Sequence, residues 1–137
     1  MLNKKNIISF LLSFVIIASL FLQIASLSCN AVTPRWTSIN MMDLDMVFVN
    51  GMGDVCGTAS KQTHATSIEG ILTLFELIDG EWEEVDQWFN RKTVGTLAVY
   101  GDFICRSGQS YKAKFEVTVY AGTEVEEETI EIIKTCP

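Results

Sequence analysis

The chain contains one histidine, His64, and Ser-His-Asp or Cys-His catalysis would have to use it. Serine and cysteine nucleophiles need a neighbouring general base, which is usually a histidine. His64 lies in the polar stretch 61–66, whose composition is typical of an exposed loop. A solvated loop position accounts for this residue without catalysis, so the sequence predicts a protein that is not an enzyme.

Carboxylates are the second group that could do chemistry, since the sequence has 17 Asp+Glu against 10 Lys+Arg and a formal net charge of −7. A glycosidase needs two carboxyl groups across a cleft, whereas clustered loop carboxylates bind calcium. The spacing here is typical of solvated strand faces, and Asp43-Leu44-Asp45 lacks the following ligands of a calcium-binding loop. We therefore predict no catalytic residue, no metal site and no cofactor. The clusters are Asp43/Asp45, Glu81/Glu83/Glu84/Asp86 and Glu126/Glu127/Glu128.

The four cysteines could bind zinc or form disulfides. None occurs as C-x-x-C and none lies near the histidine at ligand spacing, which argues against zinc. An even number in an exported chain favours disulfides, with three possible connectivities. We favour Cys56–Cys105, because both residues fall in or beside predicted inner strands. Cys29–Cys136 would then join the two ends of the domain, unless the cysteines stay reduced and buried and act as small apolar residues.

Three aromatic residues, Trp82, Trp88 and Tyr100, could form a flat platform on which a sugar ring stacks. The alternative is that they pack in a hydrophobic core, as a tryptophan does in the centre of many sandwiches. Trp82, Val85 and Trp88 recur at every third residue, which fits neither strict strand alternation nor a long helix. A β-bulge between Trp82 and Val85 would place all three on one face. We expect core packing for this set.

Alternation of apolar and polar residues predicts β-strands throughout the chain after residue 35. In residues 42–48 the apolar side chains occupy alternate positions, which predicts a half-buried strand. The alternation of apolar and polar residues is most regular in residues 111–119. Asp79-Gly80 is typical of a two-residue hairpin turn, and Tyr111 is predicted to be a corner tyrosine whose hydroxyl bonds to the backbone. About seven strands, turn signals at intervals of roughly 8–12 residues and no helical period predict an all-β fold, an immunoglobulin-like β-sandwich of antiparallel strands.

The N-terminus has the layout of a secretory signal. Two lysines are followed by an apolar run over 7–22 and by small residues before Cys29. We predict a signal peptide over 1–28, with cleavage as late as residue 31 as an alternative, and a β-sandwich domain over 32–137. The segment could instead stay uncleaved as a membrane anchor, or Cys29 could carry a lipid. Ser26 argues against the lipid, because it stands where lipoprotein motifs have a branched apolar residue.

Several motifs cover nearly the whole chain after the signal. Together they resemble a group of small secreted proteins from Gram-positive, mainly clostridial, bacteria. The resemblance implies a signal peptide followed by an immunoglobulin-like or fibronectin-like sandwich, and it supplies no catalytic residues. This chain is more acidic and has extra cysteines, which leaves any shared partner open. The motifs are Pro34-Arg35-Trp36, Cys56-Gly57-Thr58-Ala59, Ile68-x-Gly70-x-Leu72-x-Leu74, Trp82-x-x-Val85-x-x-Trp88, and Tyr111-Lys112-Ala113-Lys114 through Tyr120-Ala121-Gly122.

The predicted function is that of a secreted or surface-associated, non-enzymatic module that binds an extracellular protein, peptide or glycan. This expectation rests on the absence of a catalytic constellation, since sandwiches host many functions. The acidic balance argues against a nucleic-acid partner, and a membrane would be contacted only through the N-terminal segment. Two different functions are also compatible with the sequence: an envelope-anchored structural protein with an uncleaved or lipidated N-terminus, and a small toxin-like or bacteriocin-like effector.

Overall fold

The computed structural model describes residues 36–137, which form seven β-strands. The predicted signal peptide and Cys29 lie outside the described residues. No helix within 36–137 is long and apolar enough to cross a membrane. The strands are β1 (Ile39–Val49), β2 (Met52–Lys61), β3 (Ser67–Ile78), β4 (Glu81–Lys92), β5 (Leu97–Ile104), β6 (Ser110–Ala121) and β7 (Glu124–Thr135).

The strands form two sheets, one in the order β1-β2-β5 and one in the order β4-β3-β6-β7. Every pair within these sheets is antiparallel. In immunoglobulin constant domains the fourth strand joins the sheet of the first two strands. Here β4 pairs with β3 instead, which gives three strands in one sheet and four in the other. The predicted all-β, immunoglobulin-like sandwich is confirmed.

The core lies between the two sheets and is built from alternate residues of each strand. β6 is the clearest case, because its burial alternates along its whole length and Phe115 and Val117 are fully enclosed. Glycines in the facing strands leave room for the largest rings. A Cβ on Gly57 would lie 2.6 Å from the ring of Phe115, and a Cβ on Gly101 would lie 2.5 Å from the ring of Trp88.

Two tight turns connect neighbouring strands through residues with positive φ. Asp79 and Gly80 have φ of 52° and 88°, as the predicted two-residue hairpin requires. Asn50 and Gly51 have φ of 53° and 80° and form the equivalent turn between β1 and β2. These turns fix the register of both hairpins, so they decide which side chains face outward.

The predicted corner tyrosine is confirmed. The hydroxyl of Tyr111 accepts a hydrogen bond from the backbone N–H of Arg106 at 3.1 Å. The same hydroxyl lies 3.4 Å from a carboxylate oxygen of the buried Glu76, whose other oxygen binds the Arg106 guanidinium at 3.1 Å. The loop between β5 and β6 is therefore tied to the interior of the larger sheet.

A β-bulge interrupts β4, but it does not place the two tryptophans on one face. Leu74 pairs with Asp86 and Phe75 pairs with Glu84, which leaves Val85 as the extra residue. Because the extra residue inverts the alternation, Trp82 lies on the outer side of the sheet and Trp88 packs against the core. A bulge is present, but it lies at Val85 rather than between Trp82 and Val85, and the predicted common face is wrong.

The disulfide joins Cys105 to Cys136, so the preferred pairing Cys56–Cys105 is wrong. The pairing Cys29–Cys136 is excluded for the same reason. Register explains the error: Cys56 faces away from the core opposite Tyr100, while Cys105 follows β5 and donates its N–H to the carbonyl of Gly51. Cys56 has no disulfide partner among residues 36–137.

Candidate functional site

The outer face of the three-stranded sheet carries a groove lined by polar and apolar side chains. The side chains of this face form three cross-strand rows, each with one residue from β1, β2 and β5. The register places the rows next to one another. The groove has a cavity volume of about 360 Å³ and runs across the first two rows. The rows are Asp45–Cys56–Tyr100, Val47–Asp54–Asp102 and Val49–Met52–Ile104.

Asp54 and Asp102 lie directly opposite each other in the second row. The N–H of Cys105 donates to the carbonyl of Gly51 at 3.0 Å, so the pair Gly51/Cys105 is a hydrogen-bonded one. Hydrogen-bonded and non-hydrogen-bonded pairs alternate along an antiparallel ladder. Asp54/Asp102 is therefore a non-hydrogen-bonded pair, the type with Cα atoms only about 4.5 Å apart. Like charges in this position destabilise a sheet.

Only one carboxylate of the groove has a cationic neighbour among residues 36–137. The ammonium of Lys134 binds the Asp45 carboxylate at 2.9 Å. This hydrogen bond, together with one from the N–H of Met46, lowers the pKa of Asp45 below its ordinary value. No ion pair in the described residues involves Asp54 or Asp102. The second row therefore presents uncompensated negative charge at the centre of the groove.

The third row lies on the same face, next to the groove, and is apolar. Val49, Met52 and Ile104 are 59%, 42% and 79% exposed, and they are direct cross-strand neighbours. We call this row the apolar end. Single exposed apolar residues are common on protein surfaces, but a contiguous group beside charged residues is typical of an interaction site.

Cys56 lies in the row of the groove that is farthest from the apolar end, beside Tyr100. Burial is the main cause that raises the pKa of the Cys56 thiol. Tyr100 has the next largest effect and acts to lower this pKa, while the negative charges of Asp43 and Asp45 raise it by smaller amounts. A cysteine nucleophile needs the thiolate, so this environment suits an apolar groove wall rather than a reactive group.

The structure does not assemble the three aromatic candidates into one platform. Tyr100 lies on the outer face, and Trp88 packs against Gly101 on the core side of that sheet. Trp82 lies on the larger sheet, where the ammonium of Lys112 is 5.2 Å from its ring. The three rings thus belong to three different surfaces.

His64 is exposed in the turn before β3, as predicted. Its Nε2 lies 3.3 Å from the hydroxyl of Ser38, which is the spacing of a hydrogen-bonded serine and histidine. Ser38, however, is only 3% exposed, so its hydroxyl is closed to a substrate. No carboxylate in 36–137 hydrogen-bonds to the imidazole. The pair lacks both access and the third group that orients the base in a triad.

The acidic clusters lie on separate surfaces. Asp43 and Asp45 belong to the outer face, the acidic residues of β4 are exposed on that strand, and Glu126 is part of β7. Glu126 accepts hydrogen bonds from the N–H groups of residues 37–39. Partial burial acts to raise the pKa of Glu126, but these bonds outweigh it and lower the pKa. Within 36–137 no three His, Cys, Asp or Glu side chains are placed to hold a metal ion.

Asp54 and Asp102 are site residues that the sequence alone does not reveal. Each is an ordinary polar residue in its own strand, and no motif surrounds it. The only local signal is the alternation in β5, which puts Tyr100, Asp102 and Ile104 on one parity. Their juxtaposition with β2 depends on the register between the strands.

No protein-family model matches the chain, and no curated protein sequence matches it. Among solved structures, a β-glucuronidase from Parabacteroides merdae is 12% identical over 72% of this chain, with a TM-score of 0.48. The chain spans 14% of the length of that enzyme. A protein from Archaeoglobus fulgidus is 11% identical over 73% of this chain and 98% of its own, with a TM-score of 0.32. The resemblance to small secreted proteins of Gram-positive bacteria stays a prediction, beside the β-sandwich that the structure shows.

Proposed function

We propose that the protein is an exported, non-enzymatic binding module whose outer face holds a cationic segment of an extracellular protein. The observation that carries this proposal is the opposed pair Asp54/Asp102, which has no cation among residues 36–137. A lysine or arginine of a ligand placed between the two carboxylates relieves their repulsion. The proposal thus explains why a destabilising pair occupies the middle of an exposed sheet.

The groove also favours a particular type of ligand sequence. Its volume of about 360 Å³ is at the small end of the usual range for ligand pockets, which suits a few side chains of a peptide. The apolar end adjoins the acidic row, so a cationic residue followed by an apolar one matches both. Removal of residues 1–28 would take away two lysines and change the net charge from −7 to −9. That charge disfavours nucleic acids and anionic glycans as ligands.

The binding test uses the full chain and an acetylated, amidated decapeptide of lysine and leucine as the probe. Calorimetry measures its affinity, and amide chemical shifts map where it binds. The double variant Asp54→Asn/Asp102→Asn removes the central charges. The matched control is Glu81→Gln/Glu83→Gln, which makes the same charge change on β4. We expect the outer-face variant to weaken binding by about tenfold, or about 1.4 kcal/mol, and the control to have little effect.

Equal losses in the two double variants would contradict the proposed site, because they would reduce binding to a general effect of net charge. Shifts confined to amides outside β1, β2 and β5 would contradict it as well. Export is tested separately by the intact mass of protein recovered from culture medium and from cells. Mature protein starting at Cys29 or Val32 in the medium supports the proposal, whereas a cell-bound full-length or lipidated form supports an envelope-anchored protein.

A further inference from the structure

The edges of the two sheets are formed by β1, β5, β4 and β7. On the first three, side chains hydrogen-bond to backbone groups of the edge and so blunt it. An edge strand exposes unpaired N–H and C=O groups, which can pair with another chain. On β1, the N–H of Met46 is bound by the Asp45 carboxylate at 2.8 Å. The carbonyl of the same residue accepts a hydrogen bond from Lys134 at 2.6 Å.

The edge of β4 is blunted in the same way, and the edge of β5 is blunted at one carbonyl. The Asp86 carboxylate binds the N–H of Gln87, and the Asn90 side-chain oxygen binds the N–H of Arg91, each at 2.8 Å. The amide nitrogen of Asn90 also donates to the carbonyl of Ala98 on β5 at 2.8 Å. Together with the bulge, these contacts leave a partner strand few continuous groups to pair with on β4.

The edge of β7 is different, because no side chain of residues 36–137 hydrogen-bonds to the backbone of Glu124–Thr135. The N–H of Cys136 donates to the carbonyl of Gln109 at 2.9 Å, so even-numbered residues of this strand direct their backbone groups toward β6. The odd-numbered residues direct theirs away from the sheet. These residues are Val125, Glu127, Thr129, Glu131, Ile133 and Thr135.

We propose that the β7 edge accepts an extended, cationic segment of a partner protein as an eighth strand of the larger sheet. Main-chain hydrogen bonds would supply the pairing, as in other cases of strand addition. The charge of the edge selects the occupant. Glu127 and Glu131 project from odd positions and form no ion pair within the described residues. Lys114, which lies opposite Glu131, is paired with Glu116 instead.

A second copy of this chain fits the edge poorly, because its own β7 would bring glutamates against glutamates. Like charges on adjacent strands destabilise pairing, and opposite charges stabilise it. A segment that alternates lysine or arginine with small residues therefore suits this edge. The site is separate from the outer face, since it lies on the other sheet and uses backbone groups rather than the groove.

The test measures amide hydrogen exchange of the full chain, free and saturated with a decapeptide of alternating lysine and threonine. In the free protein we expect fast exchange at the odd-numbered amides of β7 and slow exchange at the even-numbered ones. The peptide should slow the amides of Glu127, Thr129 and Glu131 by at least tenfold. A peptide that is N-methylated at every residue keeps its charge but has no N–H donor at either edge, and it should not slow them.

Two variants at one position separate backbone pairing from side-chain effects. Thr129→Pro removes an outward N–H from the middle of β7 and leaves the bonds to β6 in place. Thr129→Val keeps the N–H and serves as the control. We expect at least a tenfold loss of peptide affinity for the proline variant and little change for the valine variant.

Protection of the odd-numbered amides in the free full chain would overturn this proposal, because the edge would then already be covered. Unchanged exchange at saturating peptide, or equal protection by the N-methylated peptide, would overturn it too. These readings are made on the wild-type chain, so they hold even if Thr129→Pro does not fold. Asp54→Asn/Asp102→Asn should leave the protection of β7 intact, which distinguishes this site from the proposed groove.

Discussion

Breaking the disulfide between Cys105 and Cys136 should destabilise the domain without changing its fold. Cys105 directly follows β5 and Cys136 directly follows β7, so the bridge links the ends of strands that belong to the two different sheets. The N–H of Cys136 also bonds to Gln109, and the carbonyl of Cys136 accepts from Gly108. Because these contacts hold the native geometry independently, the main effect of the bridge is expected on the unfolded chain.

The size of the effect follows from the loop that the bridge closes. The sequence separation of 31 residues corresponds to about 3.7 kcal/mol of lost entropy in the unfolded state at 25 °C. For a domain of roughly 100 residues this lowers Tm by about 15 °C. The pairing Cys56–Cys105 would close a loop of comparable entropy, because the cost grows only with the logarithm of length. The size of the Tm change therefore does not show which cysteines are bonded, so variants of individual cysteines are needed.

The assay is thermal unfolding of the full chain with and without reductant, in wild type and two single variants. Wild type and Cys56→Ser should both lose about 15 °C on reduction. Cys136→Ser should start at the lower Tm and show no further response to reductant. The opposite pattern, in which Cys56→Ser abolishes the response and Cys136→Ser retains it, would refute the connectivity. Peptide mapping of the unreduced protein provides an independent reading of the same bond.

Two further predictions concern core packing and pH. Gly57→Ala should cost about 1–3 kcal/mol in chemical denaturation, because the added Cβ would meet the enclosed ring of Phe115 at 2.6 Å; a loss no larger than that of Thr58→Ala on the same strand would contradict this. Glu126→Gln should cost about 1–2 kcal/mol at neutral pH, since backbone N–H groups of residues 37–39 lose a charged acceptor. The pKa of Glu126 is lowered in the folded state, so the stability difference should be complete above the ordinary value of 4.5 and be lost as pH falls from there through the lowered folded-state value. A difference that persists at pH 2 would mean that the charge is not its cause.

Features that depend on one strand at a time could be predicted from the sequence. The alternation in β6 and the Asp79-Gly80 turn both follow from local backbone geometry, and the structure has them where they were expected. The corner position of Tyr111 was equally local, because its hydroxyl bonds to a backbone group five residues away. Such features need no knowledge of which strands become neighbours.

The disulfide and the groove depend on register between strands, and neither could be predicted in this way. The predicted pairing of Cys56 with Cys105 assumes that both face the core, but the Asn50-Gly51 turn sets a register in which Cys56 faces outward. The same register places Asp54 opposite Asp102. A shift of the register by one residue would exchange the inward and outward faces of β2. The residues of the groove therefore follow from the sequence only when the geometry of this turn is known.

The bulge at Val85 determines on which faces of the larger sheet Trp82 and Trp88 lie. Without it, Trp82 and Trp88 would share a parity and lie on one face of the sheet. With it, Trp88 covers Gly101 in the core, and Trp82 stays beneath Lys112 on the outside. The extra residue also breaks the regular edge of β4, which is one of the recognised protections of an exposed strand. The irregularity that separates the two tryptophans therefore also blunts the β4 edge, while β7 remains regular over all of its twelve residues.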